Sequence, residues 1–308
     1  MHPDRLYRLV LIGVNTPGHF IWDRDVFDGM IEHISGLCAQ DADCNSRTDD
    51  LAQTMYNVNR DMPERWLFFK IDSGTVRQAT QMLFFQNGTM PMVFDAYLAA
   101  AEDDPSGLAM LNLISSLVPF DANVGDQYSK AGPLDLDKFR GIKSVNLGDS
   151  IMGAPLSEAV WPAGAAWPIE LISKDLRELQ ESDVEMLLVN GSVDFSTPPT
   201  ALDEAGPYFH NAQMVLLPEF SHVGDVSNLQ PKAFERLITS YYDSGVADDS
   251  LFVYQPVSFK PKMSLTTAAR ILVAAMFIVP ALIILGVVAV VRRTLRGKRR
   301  ASNSQTVQ

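Results

Sequence analysis

The chain has only two cysteines, 25 basic residues against 37 acidic ones, and no G-x-S-x-G pentapeptide in its 308 residues. Each shortage removes a class of function. Cys38 and Cys44 cannot supply the four soft ligands of a structural zinc site, and His19, His33 and His210 lack the i, i+4 pairing of a zinc-binding helix. No glycine-rich phosphate loop is present, so no cofactor and no metal is expected. The net charge of −12 argues against nucleic acid as a partner, because phosphate recognition draws on Lys and Arg. The opening MHPDRLYRLVLIGV has no charged leader followed by a long apolar stretch. The chain is therefore expected to continue upstream of Met1 or to reach its compartment by another route.

What is present fits one α/β domain of roughly 200–250 residues with an appendage. The appendage is ILVAAMFIVPALIILGVVAVV, an uncharged run from Ile271 to Val291. As a helix it measures about 31 Å, against about 30 Å for a bilayer core. A transmembrane helix is expected, in contact with membrane lipid; the alternative for such a run is a buried core helix. Pro280 would kink the span, which membrane helices tolerate. Arg292, Arg293, Arg296, Lys298, Arg299 and Arg300 follow it, and no acidic residue lies beyond Leu265. A basic tail of this kind belongs on the cytoplasmic side. The expected topology is single-pass in the plasma membrane, with the body extracytoplasmic. Cys38 and Cys44, in C-x5-C spacing, suit a local disulfide in that compartment, with two reduced thiols as the alternative.

The body reads as strands and helices in alternation. Leu9 to Val14, ending in Gly13 and an NTPG turn, reads as a buried parallel strand. Between residues 21 and 139 helical periodicity recurs over 26–37, 51–58, 76–85, 92–101 and 108–117, which predicts a helical insertion of about 120 residues. Strands are expected again at 143–147, 184–189 and 214–217, with helices at 169–179, 200–208 and 231–242. Residues 244–263 read as a polar and aromatic connector. Trp22, Trp66, Trp161 and Trp167 suit core packing, or the lining of a substrate groove. The sequon-like tripeptides at Asn87 and Asn190 are expected to be chance matches, since Asn190 sits at a buried strand end.

Two short stretches carry chemistry. Asp194, in NGSVDFSTP, follows the apolar strand VEMLLVNG, and His222, in EFSHVGD, follows the next strand, AQMVLLP. Both fall in loops at the carboxyl ends of parallel strands, where sites form in open α/β sheets. There a carboxylate can fix the tautomer of an imidazole and stabilise its charged form. Gly191 permits a tight exit from the strand, and Thr197-Pro198 is expected to open the next helix. Asp194 and His222 are accordingly the candidate catalytic pair.

The stretch LLVNGSVDFSTPPTALDEAGPYFHNAQMVLLPEFSHVGD resembles the closing part of the α/β-hydrolase fold, in its proline iminopeptidase and tripeptidyl aminopeptidase-like branch. DRLYRLVLIGV resembles the strand after that fold's nucleophile helix, and LCAQDADC the cysteine pair at the start of its helical cap. The resemblance implies a triad acid at Asp194, a triad base at His222 and a short peptide or ester as substrate. It further implies a serine on a G-x-S-x-G elbow ahead of RLVLIGV, which these residues do not contain. The serine is expected upstream of Met1, and the chain alone is expected to be inactive and to expose an aggregation-prone strand edge at 9–14. Two other readings are a non-catalytic tethered binding module and a hydrolase rebuilt around Ser150. Ser150 has the right chain order, but GDSIMG has one residue too many and Pro155 is expected to stop the helix after it. Asp149 and Ser150 are instead expected to line the substrate cleft.

The expected fold class is thus α/β: the C-terminal part of an α/β-hydrolase sheet with a large helical cap and one C-terminal transmembrane helix. The boundaries are 1–18 for the first core strand, 19–140 for the cap and 141–245 for the core with the acid and base loops. A connector spans 246–264, the membrane helix 265–291 and the basic tail 292–308.

Overall fold

A computed structural model of the protein describes residues 5–117, 132–139, 147–160 and 169–305. The expected strand positions 143–146, together with Trp161 and Trp167, lie outside the described residues, as do the side chains of Arg296, Lys298, Arg299 and Arg300. The architecture is mixed α/β around a parallel three-stranded sheet. Its strands are β1 (Leu9–Ile12), β4 (Met186–Gly191) and β5 (Ala212–Leu217), in the order β1-β4-β5. Leu9 pairs with Met186, and Met186 with Ala212, so both pairings are parallel and in step.

Burial explains the strand sequences. Every residue of β4 is buried, as a central parallel strand requires. Its alternate side chains feed two cores: Leu187 and Val189 pack with Leu217, Phe220, Leu237 and Tyr241, whereas Met186 and Leu188 pack with Val14 and Leu202. The flanking strands are edges, and β1 is only half-buried throughout. Among the described residues no strand pairs with its outer side.

The helical insertion takes the form expected between residues 21 and 117. It comprises α1 (Arg24–Cys38), α2 (Ala42–Asn45), α3 (Leu51–Arg60), α4 (Ser73–Leu83), α5 (Met90–Ala101) and α6 (Ser106–Leu117). Aspartates cap α1, α2, α3 and α4: Asp23, Asp41, Asp50 and Asp72 each accept first-turn backbone N–H groups. The apolar faces of these helices meet in one core that includes Phe27, Met55, Phe84, Phe94 and Tyr97. Cys38 and Cys44 are joined in a disulfide between α1 and α2. A small antiparallel hairpin, β2 (Arg65–Trp66) and β3 (Phe69–Lys70), interrupts the helices and was not legible as strand.

Two helical expectations need correction. Residues 169–179 form no helix beyond one 3-10 turn at Lys174–Leu176. The Ile172 amide donates to the Pro133 carbonyl at 3.0 Å and Arg177 Nε to the Ile172 carbonyl, so these groups are committed elsewhere. Ile172 through Leu176 are also exposed, with no buried face to hold a helix in place. Pro155, in contrast, opens a helix and does not stop one. It is the first residue of α8 (Pro155–Val160), where a missing N–H costs nothing. The preceding helix, α7, spans Gly132–Phe139.

On the sheet, α9 (Thr200–Ala205), α10 (Val223–Asn228) and α11 (Pro231–Ser244) cover the strands. The connector does more than link. Val257 and Phe259 are buried in the cap core, and the Phe259 ring lies 5.3 Å from that of Phe94. Beyond it, α12 (Leu265–Gln305) is one continuous helix of 41 residues that runs through Pro280. Its first turns pack on the cap: Leu265 and Ala269 are buried, Ser264 Oγ donates to Asp95 and Arg270 to Asp104. From Leu265 to Arg293 it is long and apolar enough to cross a membrane, and none of its most apolar window is buried within the protein. Within the described residues it is not a buried core helix.

Candidate active site

Asp194 sits three residues past β4, and His222 five residues past β5. Backbone bonds bring their loops together. Ser192 N donates to Leu217 O and Val193 N to Phe220 O, at 3.0 and 3.1 Å. The approach is close enough that a β-carbon on Gly191 would lie 2.0 Å from the Phe220 carbonyl oxygen. Glycine at 191 is therefore needed for contact with the histidine loop, beyond the strand exit expected from sequence.

The carboxylate is buried and fully engaged. Asp194 Oδ1 accepts from Ser196 N and Thr197 N at 2.8 and 2.9 Å. Its Oδ2 accepts the Thr197 hydroxyl at 2.6 Å and faces His222 Nδ1 at 3.0 Å. The Asp194 side chain is 1% exposed and that of His222 32%. With Thr197 donating to the carboxylate, the network assigns the proton of a neutral His222 to Nδ1. Nε2 then carries the lone pair, on a ring that reaches solvent. That is the tautomer of a general base with an orienting acid behind it.

Sequence reading missed several supports. Thr197 is not the helix cap expected of it: α9 is capped at Pro199, and the Thr197 hydroxyl lies between Asp194 and His222, 3.3 Å from Nδ1. Asn190 is wholly buried and laces β1 to β4, accepting from Val14 N at 2.8 Å and donating to Thr197 O at 2.8 Å. Asn87 Nδ2 donates to Glu219 O, so both sequon asparagines have structural partners. An Asn at the end of a buried run was the available signal for Asn190, since a polar side chain placed there must find partners.

The cap grips the histidine loop from the other side. Ser221 Oγ donates to Phe84 O, His222 N to Phe85 O and Asn87 N to Asp225 Oδ2. The Phe85 ring lies 6.1 Å from that of His222 and 5.9 Å from that of Trp22, whose indole N–H donates to Ser196 O. Phe85 thus faces the imidazole, with Trp22 packed on the Phe85 ring. Burial pushes the Asp225 carboxyl above its ordinary range; the Asn87 N–H opposes this, the Asp194 charge adds to it and His222 opposes it.

Ser150 is placed otherwise. It is buried, its hydroxyl donates to Asp28 Oδ2 at 2.6 Å, and its Oγ accepts from Gly153 N at 2.7 Å. The same Asp28 carboxylate accepts from Ile151 N and Met152 N. Ser150 thus anchors a loop onto α1, and its proton goes to Asp28, with no bond to His222 among the described residues. Asp149 lines a groove of about 730 Å³ with Glu32, Asp50 and Tyr56, whose lining includes neither Asp194 nor His222. His19 pairs with Glu204 and His210 with Asp183. Among the described residues no group of three or more His, Cys, Asp or Glu side chains is gathered to hold a metal ion.

No protein-family model and no curated protein sequence matches the chain. Among solved structures, a serine hydrolase from the polyaromatic-hydrocarbon-degrading bacterium Cycloclasticus zankles is similar over 80% of this chain and 59% of that one. Identity is 14% and the TM-score 0.31. The chain spans less than two thirds of that neighbour's length.

Proposed function

We propose that this chain carries the acid and the base of a membrane-tethered serine hydrolase of the aminopeptidase-like α/β-hydrolase branch. His222 acts as general base through Nε2 and Asp194 as its orienter. The observation that carries the reading is the Asp194–Thr197–His222 array at the carboxyl edge of a parallel sheet. It fixes one tautomer and leaves the lone pair on Nε2 of a partly exposed ring.

Such a pair needs a hydroxyl to activate, and the 308 residues contain no G-x-S-x-G elbow. In this reading the serine comes from a segment outside these residues that pairs with the open side of β1. The position suits the chemistry, because the end of β1 lies close to the imidazole: a β-carbon on Gly13 would lie 3.3 Å from His222 Cε1. Short peptides or esters are the proposed substrates, with Trp22 and Phe85 bordering the acyl or side-chain site. The body stands outside the cytoplasm, α12 spans the plasma membrane, and the basic tail lies inside.

The test is a fluorophosphonate probe applied to membranes that hold the native gene product. Labelling that disappears in His222→Ala supports the hydrolase. A product that stays unlabelled while folded overturns it and favours a tethered binding module, the reading suggested by the missing elbow.

A further inference from the structure

The β2–β3 hairpin has an unusual tip. Two-residue hairpin loops favour Asn-Gly or Asp-Gly pairs, yet this one turns on Leu67, at φ +53°, and Phe68. Their exposures are 57% and 56%. Trp66 and Phe69 at the base stack 6.0 Å apart and pack against the cap core, so the hairpin is anchored while its tip is bare.

Its position explains where the tip faces. Trp66 and Phe69 line a small apolar cleft with Ala109, Met110 and Leu113 of α6 and with Ala269 and Leu272 of α12. Gly107 of α6 lies against Thr266, with an added β-carbon 2.9 Å from its Oγ1, whereas Leu113 shares the cleft with Leu272. The two helices therefore run side by side in the same direction. Leu272 already belongs to the uncharged run that begins at Ile271. The last turn of α6, with Ile114 46% and Leu117 74% exposed, continues about 6 Å further beside that run. Leu67, Phe68, Ile114, Leu117 and Ile271 are all exposed on the elements that meet at this cleft, and the exposed side chains of Arg65 and Lys70 flank the hairpin.

We propose that the hairpin tip and the end of α6 dip into the headgroup–acyl boundary of the bilayer that α12 crosses. The partner is the lipid surface: an exposed apolar patch continuous with a membrane-spanning helix has lipid as its nearest apolar phase, and aromatic residues favour that depth. The Ser264–Asp95 and Arg270–Asp104 contacts hold α5 and the turn after it to the start of α12, so the cap sits at a fixed height and tilt over the membrane.

The inference rests on α12 spanning the membrane, and the experiment separates the two. Both native cysteines are in the disulfide, so Leu67→Cys or Phe68→Cys gives one reactive thiol for an environment-sensitive fluorophore. The full chain is reconstituted in phosphatidylcholine–phosphatidylglycerol vesicles that carry nitroxide lipids at a shallow or a deep position. Labels at 67 and 68 are expected to shift to the blue and lose most of their emission to the shallow quencher. A label at Leu282→Cys should respond to the deep one, and a label at Lys232→Cys on α11 to neither. Quenching at 282 without quenching at 67 and 68 overturns the inference and leaves the span intact. No quenching at 282 overturns the span and the inference with it. A blue shift that grows with protein density but resists the quenchers points to a second copy on the tip, and also overturns the inference.

Discussion

Gly13 leaves the space at the end of β1 that the His222 loop approaches. A β-carbon at position 13 would lie 3.3 Å from His222 Cε1 and 2.6 Å from Val223 Cγ2, and the Gly13 backbone is left-handed at φ +66°. Gly13→Ala therefore combines strain with overpacking and is expected to cost about 1–3 kcal/mol. Thermal unfolding in detergent micelles measures the loss. Because the clash falls on the histidine loop, fluorophosphonate labelling of the native product should fall as well; unchanged stability and labelling would contradict the close approach.

The acid and its threonine are separable. Asp194→Asn keeps an acceptor for Ser196 N and Thr197 N but turns an amide N–H₂ towards His222, which favours the wrong tautomer. Labelling is expected to slow by about 10⁴-fold, the scale seen when a triad acid becomes an amide. Thr197→Val removes only the bridging hydroxyl. It should destabilise by about 1–2 kcal/mol and slow labelling far less. Equal effects of the two changes would contradict the assigned roles.

Asp225 gives a pH dependence whose sign follows from its burial. Its folded carboxyl sits above the ordinary value, so the folded chain holds this proton more tightly than the unfolded one. Its contribution to stability is greatest at low pH and is lost as pH rises through the raised folded value. Asp225→Asn removes the titration and still offers Oδ1 to the Asn87 amide. The melting temperature of the variant relative to the native chain should rise with pH across the acid range; a fall would contradict the sign.

The Cys38–Cys44 bridge closes a short loop, with a sequence separation of six. Chain-entropy arguments give about 2 kcal/mol for such a loop, so mild reduction should lower the unfolding midpoint modestly and leave the distant His222–Asp194 pair in place. A large loss of folded protein on reduction would show that the α1–α2 corner matters more than its loop length implies.

These particulars show where sequence reading succeeds. The β4 run and the α1, α3, α4, α5 and α6 periodicities were legible because each element buries a face long enough to impose a pattern. The proximity of Asp194 and His222 was legible because strand ends can be counted. Residues 169–179 misled because an apolar spacing there meets no core, and a carbonyl at Pro133 takes the Ile172 amide instead. Thr197, Asn190 and Asp225 were hidden for a different reason. Their roles depend on partners 25 to 176 residues away, and no local pattern carries that information. The Ser150 hydroxyl likewise bonds a partner far along the chain, Asp28, that no local pattern announces.

The central claim is that His222, oriented by Asp194, activates a serine of the native product that lies on a G-x-S-x-G elbow. Mass-spectrometric mapping of the fluorophosphonate adduct on that product tests it most directly. The account predicts one labelled serine, inside such an elbow on a segment ahead of β1, with the adduct absent in His222→Ala. An adduct on Ser150, or one that survives His222→Ala, would contradict it.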